Sequence, residues 1–295
     1  MKLIDIHSPQ DIKPLTIDDL KDLAKQMRAA IINYTSTIGG HVGPNLGDVE
    51  ALIGVHYVFD APKDKIVIDV SHQDFVHKML TGRADAFLDE AKYDDVSGYS
   101  EPSESAHDFF CIGHTSTSVS LACGLAKARD LADENYNVIA VIGDGSLSGG
   151  EALEGLDFAK ELNGNLIVVV NDNEMSIAEN HGGLYENLKL LRDTKGQAEC
   201  NIFKAMGLNY VFVEDGNDLT QLIDAFKRVK DSKAPVAVHI HTLKGKGYTL
   251  AEENKESWHW HMPFDIETGK TKGNYDGGED YGTLTADYLL QKMKE

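Results

Sequence analysis

Two short segments carry residue types that could hold a metal ion and a phosphate. One is Gly143-Asp144-Gly145-Ser146 and the other is Asn171-Asp172-Asn173. Asp144 and Asn173 lie 29 positions apart, the length of one strand–helix–strand unit. A carboxylate, an amide oxygen and a nearby backbone carbonyl form a hard oxygen set suited to Mg²⁺, which keeps open positions that phosphate oxygens usually fill. The glycines let the backbone approach a diphosphate, and the N–H groups that open the following helix can donate to it. Each segment alone reads equally well as a tight turn after a strand. Paired at this spacing, they favour the metal and phosphate reading. Gly143, Gly145 and Gly149 do not fit G-x-G-x-x-G, and no G-x-x-x-x-G-K-[ST] loop occurs. Both facts weigh against a nicotinamide dehydrogenase or a P-loop enzyme.

Twelve histidines add candidates for proton transfer. His41 and His114 sit in glycine-flanked loops beside small polar residues, where a histidine is more often functional than a packing residue. His7, His56, His107, His181 and His239 have no motif around them and are assigned nothing.

These residues need a scaffold. Residues 17–34 carry apolar side chains at helical spacing, with Thr16 or Asp18 as candidate N-cap. Further helices are expected at 47–58, 117–132, 150–162 and 218–230, with a last one over Leu284–Met293. Short β-branched runs at Ile66–Val70, Val138–Ile142, Leu166–Val170, Tyr210–Val213 and Val236–Ile240 read as buried strands. Apolar strands alternating with helices predict an α/β fold, a parallel sheet with helices on both faces. Ligands of such sheets bind at the carboxyl ends of strands, which is where both segments fall.

Bulk properties set outer bounds. A chain of 295 residues has room for one large α/β domain. It has 28 basic and 48 acidic residues and a net charge of −20. Such a surface repels nucleic acid and anionic lipid, so neither is an expected partner. Cys111, Cys123 and Cys200 form no C-x-x-C pair. They suggest a reduced, cytoplasmic protein without a disulfide framework or a zinc site. The N-terminus has no apolar signal-peptide core, and no apolar run reaches the ~18 residues of a membrane span.

G-D-G followed about 30 residues later by N-x-N resembles the thiamine diphosphate (ThDP) signature of the transketolase superfamily. Other segments resemble more specifically the N-terminal region of 1-deoxy-D-xylulose-5-phosphate synthases. They are Gly40-His41-Val42-Gly43-Pro44-Asn45-Leu46-Gly47, Asp69-Val70-Ser71-His72-Gln73, His77 to Arg83, Gly113-His114-Thr115-Ser116, Asn171 to Ile177, and Lys244-Gly245-Lys246-Gly247-Tyr248. They follow the family's order over residues 40 to 248. Ser71 and Asp74 depart from the glycine and small residue usual around His72. The stretch Leu184 to Asn201 is short where the family carries a long helical insertion.

The resemblance implies a ThDP diphosphate-binding fold over residues 1–295, with a C-terminal extension from about residue 250. It implies that Asp144, the Asn173 side chain and the Met175 carbonyl bind Mg²⁺, and that Gly143, Gly145, Ser146 and Asn173 meet the diphosphate. His72, Gly113, His114, Thr115 and Tyr248 would line the cofactor site. His41, His72, His114 and one late histidine would serve catalysis. That last residue is His259 or His261, and His261 is preferred because it directly precedes Met262-Pro263-Phe264-Asp265.

The implied activity is ThDP- and Mg²⁺-dependent two-carbon transfer on keto sugar phosphates or pyruvate. In this superfamily the glutamate that activates the cofactor belongs to a pyrimidine-binding domain, which this sequence does not contain. The expected partner is therefore a separate subunit with the pyrimidine-binding and C-terminal domains, in a homo- or hetero-oligomer. A non-catalytic ThDP-binding scaffold is the alternative.

Overall fold

Runs of Val and Ile without polar alternation are stable only where a sheet is covered on both faces. The protein uses its five runs in that way. The structure, a computed structural model, describes residues 1–162, 164–273 and 280–295. Its strands are β1 (Lys65–Ile68), β2 (Val138–Gly143), β3 (Leu166–Asp172), β4 (Asn209–Val213) and β5 (Val236–His241). All pair in parallel, in the order β1-β2-β3-β5-β4.

The main helices in chain order are α1 (Ile17–Ile38), α2 (Val49–Val58), α3 (Ser118–Leu131), α4 (Gly150–Ala159), α5 (Gly183–Asp193), α6 (Leu219–Val229) and α7 (Tyr281–Lys294). Ile139, Val141, Ile167, Val169 and Val238 pack into one core with α1, α2 and α6. The alternate residues Val138, Ala140, Val168, Val170 and Ala237 pack into a second core with α3, α4 and α5. Each fully buried Val or Ile contributes about 1.5–3 kcal/mol. A one-residue slip would exchange the side chains facing the two cores, so the register is firmly set.

Helix α1 starts as expected. Thr16 is the N-cap in a reciprocal capping box with Asp19. The helix runs four residues past the expected end, to Ile38, and Gly39, with φ of +83°, closes it. Strand β1 stops at Ile68, short of the expected Val70, because Val70 and Ser71 turn out with φ of 57° and 67°. That turn presents His72.

Three other differences concern the site. Residues Gly43–Gly47 form a separate helical turn ahead of α2. Helix α4 ends at Ala159 rather than 162. The shortened stretch after Leu184 contains a helix that was not anticipated, α5, which buries Leu188 and Leu191.

The C-terminal region expected as an extension folds back onto α1. Trp258 and Phe264 are buried in the first core, and Lys272 Nζ donates to the Ser36 carbonyl at 3.1 Å. Residues 274–279 of that extension lie outside the described residues. Helix α7 follows with every side chain exposed. All three cysteines are free, and no described helix is long and apolar enough to cross a membrane.

Candidate functional site

The carboxyl ends of β2 and β3 meet because Gly143 stands opposite Asn171 in the register. Asp144 and Asp172 emerge side by side there, both buried. Asp172 is already neutralised. Burial opposes its charge, but the His239 Nε2 hydrogen bond at 2.8 Å and the Arg192 guanidinium of α5 hold its carboxyl down to about 2. The other imidazole nitrogen of His239 accepts the Tyr210 hydroxyl at 2.8 Å, which fixes the tautomer.

Asp144 has no such cation. Burial, reinforced by the Asp172 charge, pushes its carboxyl well above the ordinary range. Its contact is the Asn180 amide, which donates to Oδ2 at 2.8 Å. A buried carboxylate beside another carboxylate is costly until a cation joins it.

The turn after β3 is built for close approach. Asn173 Oδ1 accepts the Met175 N–H at 3.2 Å, and Glu174 adopts φ of 68°. A Cβ on Gly145 would come within 2.8 Å of Ser176, so this backbone-to-backbone contact needs glycine. Among the described residues no three His, Cys, Asp or Glu side chains converge as a metal cage. A single carboxylate with amide and carbonyl oxygens instead fits the hard Mg²⁺ of a metal–diphosphate pair.

A cavity of about 180 Å³ extends from this edge toward α2. His41, His72 and His259 gather in its wall, with ring centroids 4.7 Å apart for His41–His72 and 5.4 Å apart for the other two pairs. Burial keeps all three neutral. It lowers His41 to about 4 and His259 to about 3, with Lys244 adding to both, and it takes His72 well below the imidazole range. The buried His72 Nδ1, His259 Nδ1 and Gln73 Oε1 have no hydrogen-bond partner among the described residues. Unpaired buried polar atoms around a cavity call for a ligand or water.

Lys244, from the loop after β5, is 1% exposed and donates to the Ser176 carbonyl at 2.6 Å. Burial brings its ammonium down to about 8. Asn45 joins the two histidine loops. Its Nδ2 donates to the His41 and His72 carbonyls at 2.8 and 2.9 Å, and its Oδ1 accepts the Phe75 N–H at 3.1 Å.

His41, His72, Thr115, Asn173 and Met175 thus stand around one cavity, as do Gly143, Asp144, Gly145 and Ser146. Four expected residues do not join them. His261 is replaced by His259. The His261 backbone is paired with Gly40 in both directions, its ring stacks on Trp258 at 4.3 Å, and its Nδ1–H donates to the Met262 carbonyl. Tyr248 lies against Trp258 and gives its hydroxyl to the Ile266 carbonyl at 2.8 Å, so it supports the fold behind the cavity. Gly113 and His114 are exposed, and the His114 Nδ1–H turns back to the Thr115 carbonyl at 2.8 Å.

Sequence reasoning missed Lys244, Asp48 and Arg192. Lys244 had a usable signal, since it follows β5 at the same sheet edge.

The family model described as 1-deoxy-D-xylulose-5-phosphate synthase matches residues 3–201 and 194–242. The chain belongs to the 1-deoxy-D-xylulose-5-phosphate synthase family.

The family member 1-deoxy-D-xylulose-5-phosphate synthase 1 of Geobacter sulfurreducens is 40% identical over 326 residues, covering 98% of this chain and 51% of the relative. The synthase of Listeria monocytogenes is 43% identical over 276 residues, covering 91% and 45%. The chain therefore spans about half the length of the curated relatives it matches. In fold it is similar to transketolase from Campylobacter jejuni, with a TM-score of 0.67 at 19% identity over 86% of this chain and 44% of that one. Transketolase from Leishmania mexicana gives 0.64 at 19% identity over 94% and 45%.

Proposed function

We propose that this chain is the diphosphate- and metal-binding half of a ThDP- and Mg²⁺-dependent two-carbon transferase of the 1-deoxy-D-xylulose-5-phosphate synthase and transketolase type. The observation that carries the reading is Asp144, a buried carboxylate that makes no ion pair among the described residues, at the strand edge that also presents Asn173 and the Gly145 turn.

Asp144, the Asn173 amide oxygen and the Met175 carbonyl would hold Mg²⁺. Gly143, Gly145, Ser146 and Thr115 would line the path of the diphosphate. ThDP, when bound, supplies the electron sink for breaking and making a carbon–carbon bond next to a carbonyl. The chain's own part is positioning and proton handling. His41, His72 and His259 are neutral near pH 7, so each ring offers one N–H donor and one acceptor nitrogen to substrate hydroxyls. Asn45 sets the spacing of the first two.

Residues 1–295 form, in this reading, one diphosphate-binding unit that includes the segment after residue 250. A separate subunit supplies the pyrimidine-binding and C-terminal domains, and the substrates are keto sugar phosphates or pyruvate. The half-length match to the relatives supports further domains beyond the region matched.

The test is calorimetric titration of ThDP in Mg²⁺ buffer, with Asp144→Ala alongside. Saturable, Mg²⁺-dependent heat that disappears in the variant is expected. Equal binding by the variant would refute the metal assignment. Turnover of the assembled enzyme with pyruvate against a ketose phosphate then separates the two donor classes.

A further inference from the structure

Asp48 is a buried carboxyl that the functional reading leaves without a role. It precedes α2 and is 1% exposed, on the wall of the cavity shared by His41, His72 and Asp144. An aspartate at a helix N-terminus usually caps it. Asp48 makes no capping hydrogen bond. Its Oδ1 instead accepts from the Asn171 side-chain Nδ2 at the end of β3, and the Asn171 side-chain Oδ1 accepts from the Thr242 hydroxyl after β5. The chain Thr242–Asn171–Asp48 joins two strand ends and fixes the carboxyl plane at the cavity wall.

No ion pair to Asp48 occurs among the described residues, and burial alone pushes its carboxyl up to about 8. A buried acid without a cation is destabilising, and an oriented one facing a cavity is a candidate ligand contact. The rest of the cavity wall offers neutral imidazoles and one lysine, which leaves Asp48 as its carboxyl away from the metal edge, one that a bound cation would ionise.

We propose that Asp48 is the anionic contact for the positively charged heteroaromatic ring of the cofactor, favouring a cationic ring over a neutral ring of the same shape. This rests on the ThDP reading. It predicts discrimination between two ligands that share the diphosphate and pyrimidine and differ in the charge of the five-membered ring.

The experiment titrates the full chain, in saturating Mg²⁺, with ThDP and with thiamine thiazolone diphosphate, whose ring is neutral. Asp48→Asn keeps the shape and can still accept from Asn171. It should weaken ThDP roughly tenfold or more while leaving the thiazolone analogue within about twofold. Thr242→Val removes the hydroxyl that fixes Asn171 and should shift the same ratio in the same direction by less. It also carries the test if melting shows that Asp48→Asn does not fold. Equal loss for both ligands, or loss for neither, overturns the assignment of Asp48 and leaves the cofactor reading standing. Failure of the wild-type chain to bind either ligand overturns that reading, and this inference with it.

Discussion

Two histidine clusters lie in the same half of the molecule and differ in what their nitrogens touch. His41, His72 and His259 surround the cavity, and two of these rings have a buried nitrogen without a partner. His56, His77 and His107 lie near the loop over residues 97–112. There His77 Nε2 donates to Asp108 at 3.0 Å, and His77 Nδ1 pairs with His56 Nε2 at 2.9 Å. Arg83 grips both oxygens of Asp108 at 2.8 and 2.9 Å, and Lys78, fully buried, pairs with Glu104 at 2.6 Å.

The second cluster is nearly closed on itself. Its buried atoms without a partner among the described residues are His56 Nδ1, His107 Nδ1 and Arg83 Nε, and the adjoining void of about 10 Å³ could hold at most one water. The three cavity histidines are partly exposed, whereas His56 and His77 are buried. Each cluster leaves two imidazole nitrogens unpaired among the described residues, so the space beside them, about 180 Å³ against about 10 Å³, separates a device that awaits a ligand from one that holds a loop.

The largest test of that distinction is Arg83→Ala. Burial opposes the Asp108 charge, and His77 and Arg83 together hold it well below the usual carboxylate range. Without Arg83, the buried Asp108 would keep only His77 as a side-chain partner, at a cost of about 3–5 kcal/mol, while Glu104 would keep its pair with Lys78. Urea unfolding should show this as a lower midpoint, while ThDP affinity of the folded fraction stays near that of wild type. A loss below about 1 kcal/mol would mean that the cluster does not hold the loop as described.

An intermediate effect separates two histidines that are two residues apart. On the proposed function, His259→Ala should lower turnover of the assembled enzyme about 10²-fold with little change in melting temperature. His261→Ala removes a ring stacked on Trp258 and should instead cost about 1–2 kcal/mol of stability with turnover nearly unchanged. The reverse pattern would restore His261 to the site.

That pair also marks what sequence could and could not reveal. The five strands were legible because β-branched runs leave few alternatives, and the Asp144–Asn173 pairing was legible because strand ends share an edge. His259 was not separable from His261, because the Gly40–His261 backbone pairing that sets which ring faces the cavity joins positions more than 200 residues apart. Helix α5 was missed although Leu184, Leu188 and Leu191 recur at helical spacing, the last two of them buried. Asp48 and Lys244 carry charges that local patterning assigns to the surface, and only the assembled fold shows them buried.

The smallest effect, and the one that most directly compares the clusters, is in their titration. Burial lowers His41 and His107 to about 4 and His259 to about 3. Unfolded, each would titrate near 6.5. Each ring therefore contributes stability that is fully present above about pH 6.5 and is lost as pH falls toward its folded value, at no more than about 1.4 kcal/mol per pH unit per group. Asp48 and Asp74, which burial raises to about 8 and about 7, run the other way. Their contribution is present below about 3.8 and is lost as pH rises through 7 to 8. A bulk acid melt would mix these opposing slopes, so the measurement is an NMR titration of individual imidazole protons. His41 and His107 should both have midpoints near 4 in the free protein. Adding ThDP and Mg²⁺ should move His41, which faces the cavity, and leave His107 in place. If both midpoints moved, or neither did, the open cavity beside His41 would not be what distinguishes the two clusters.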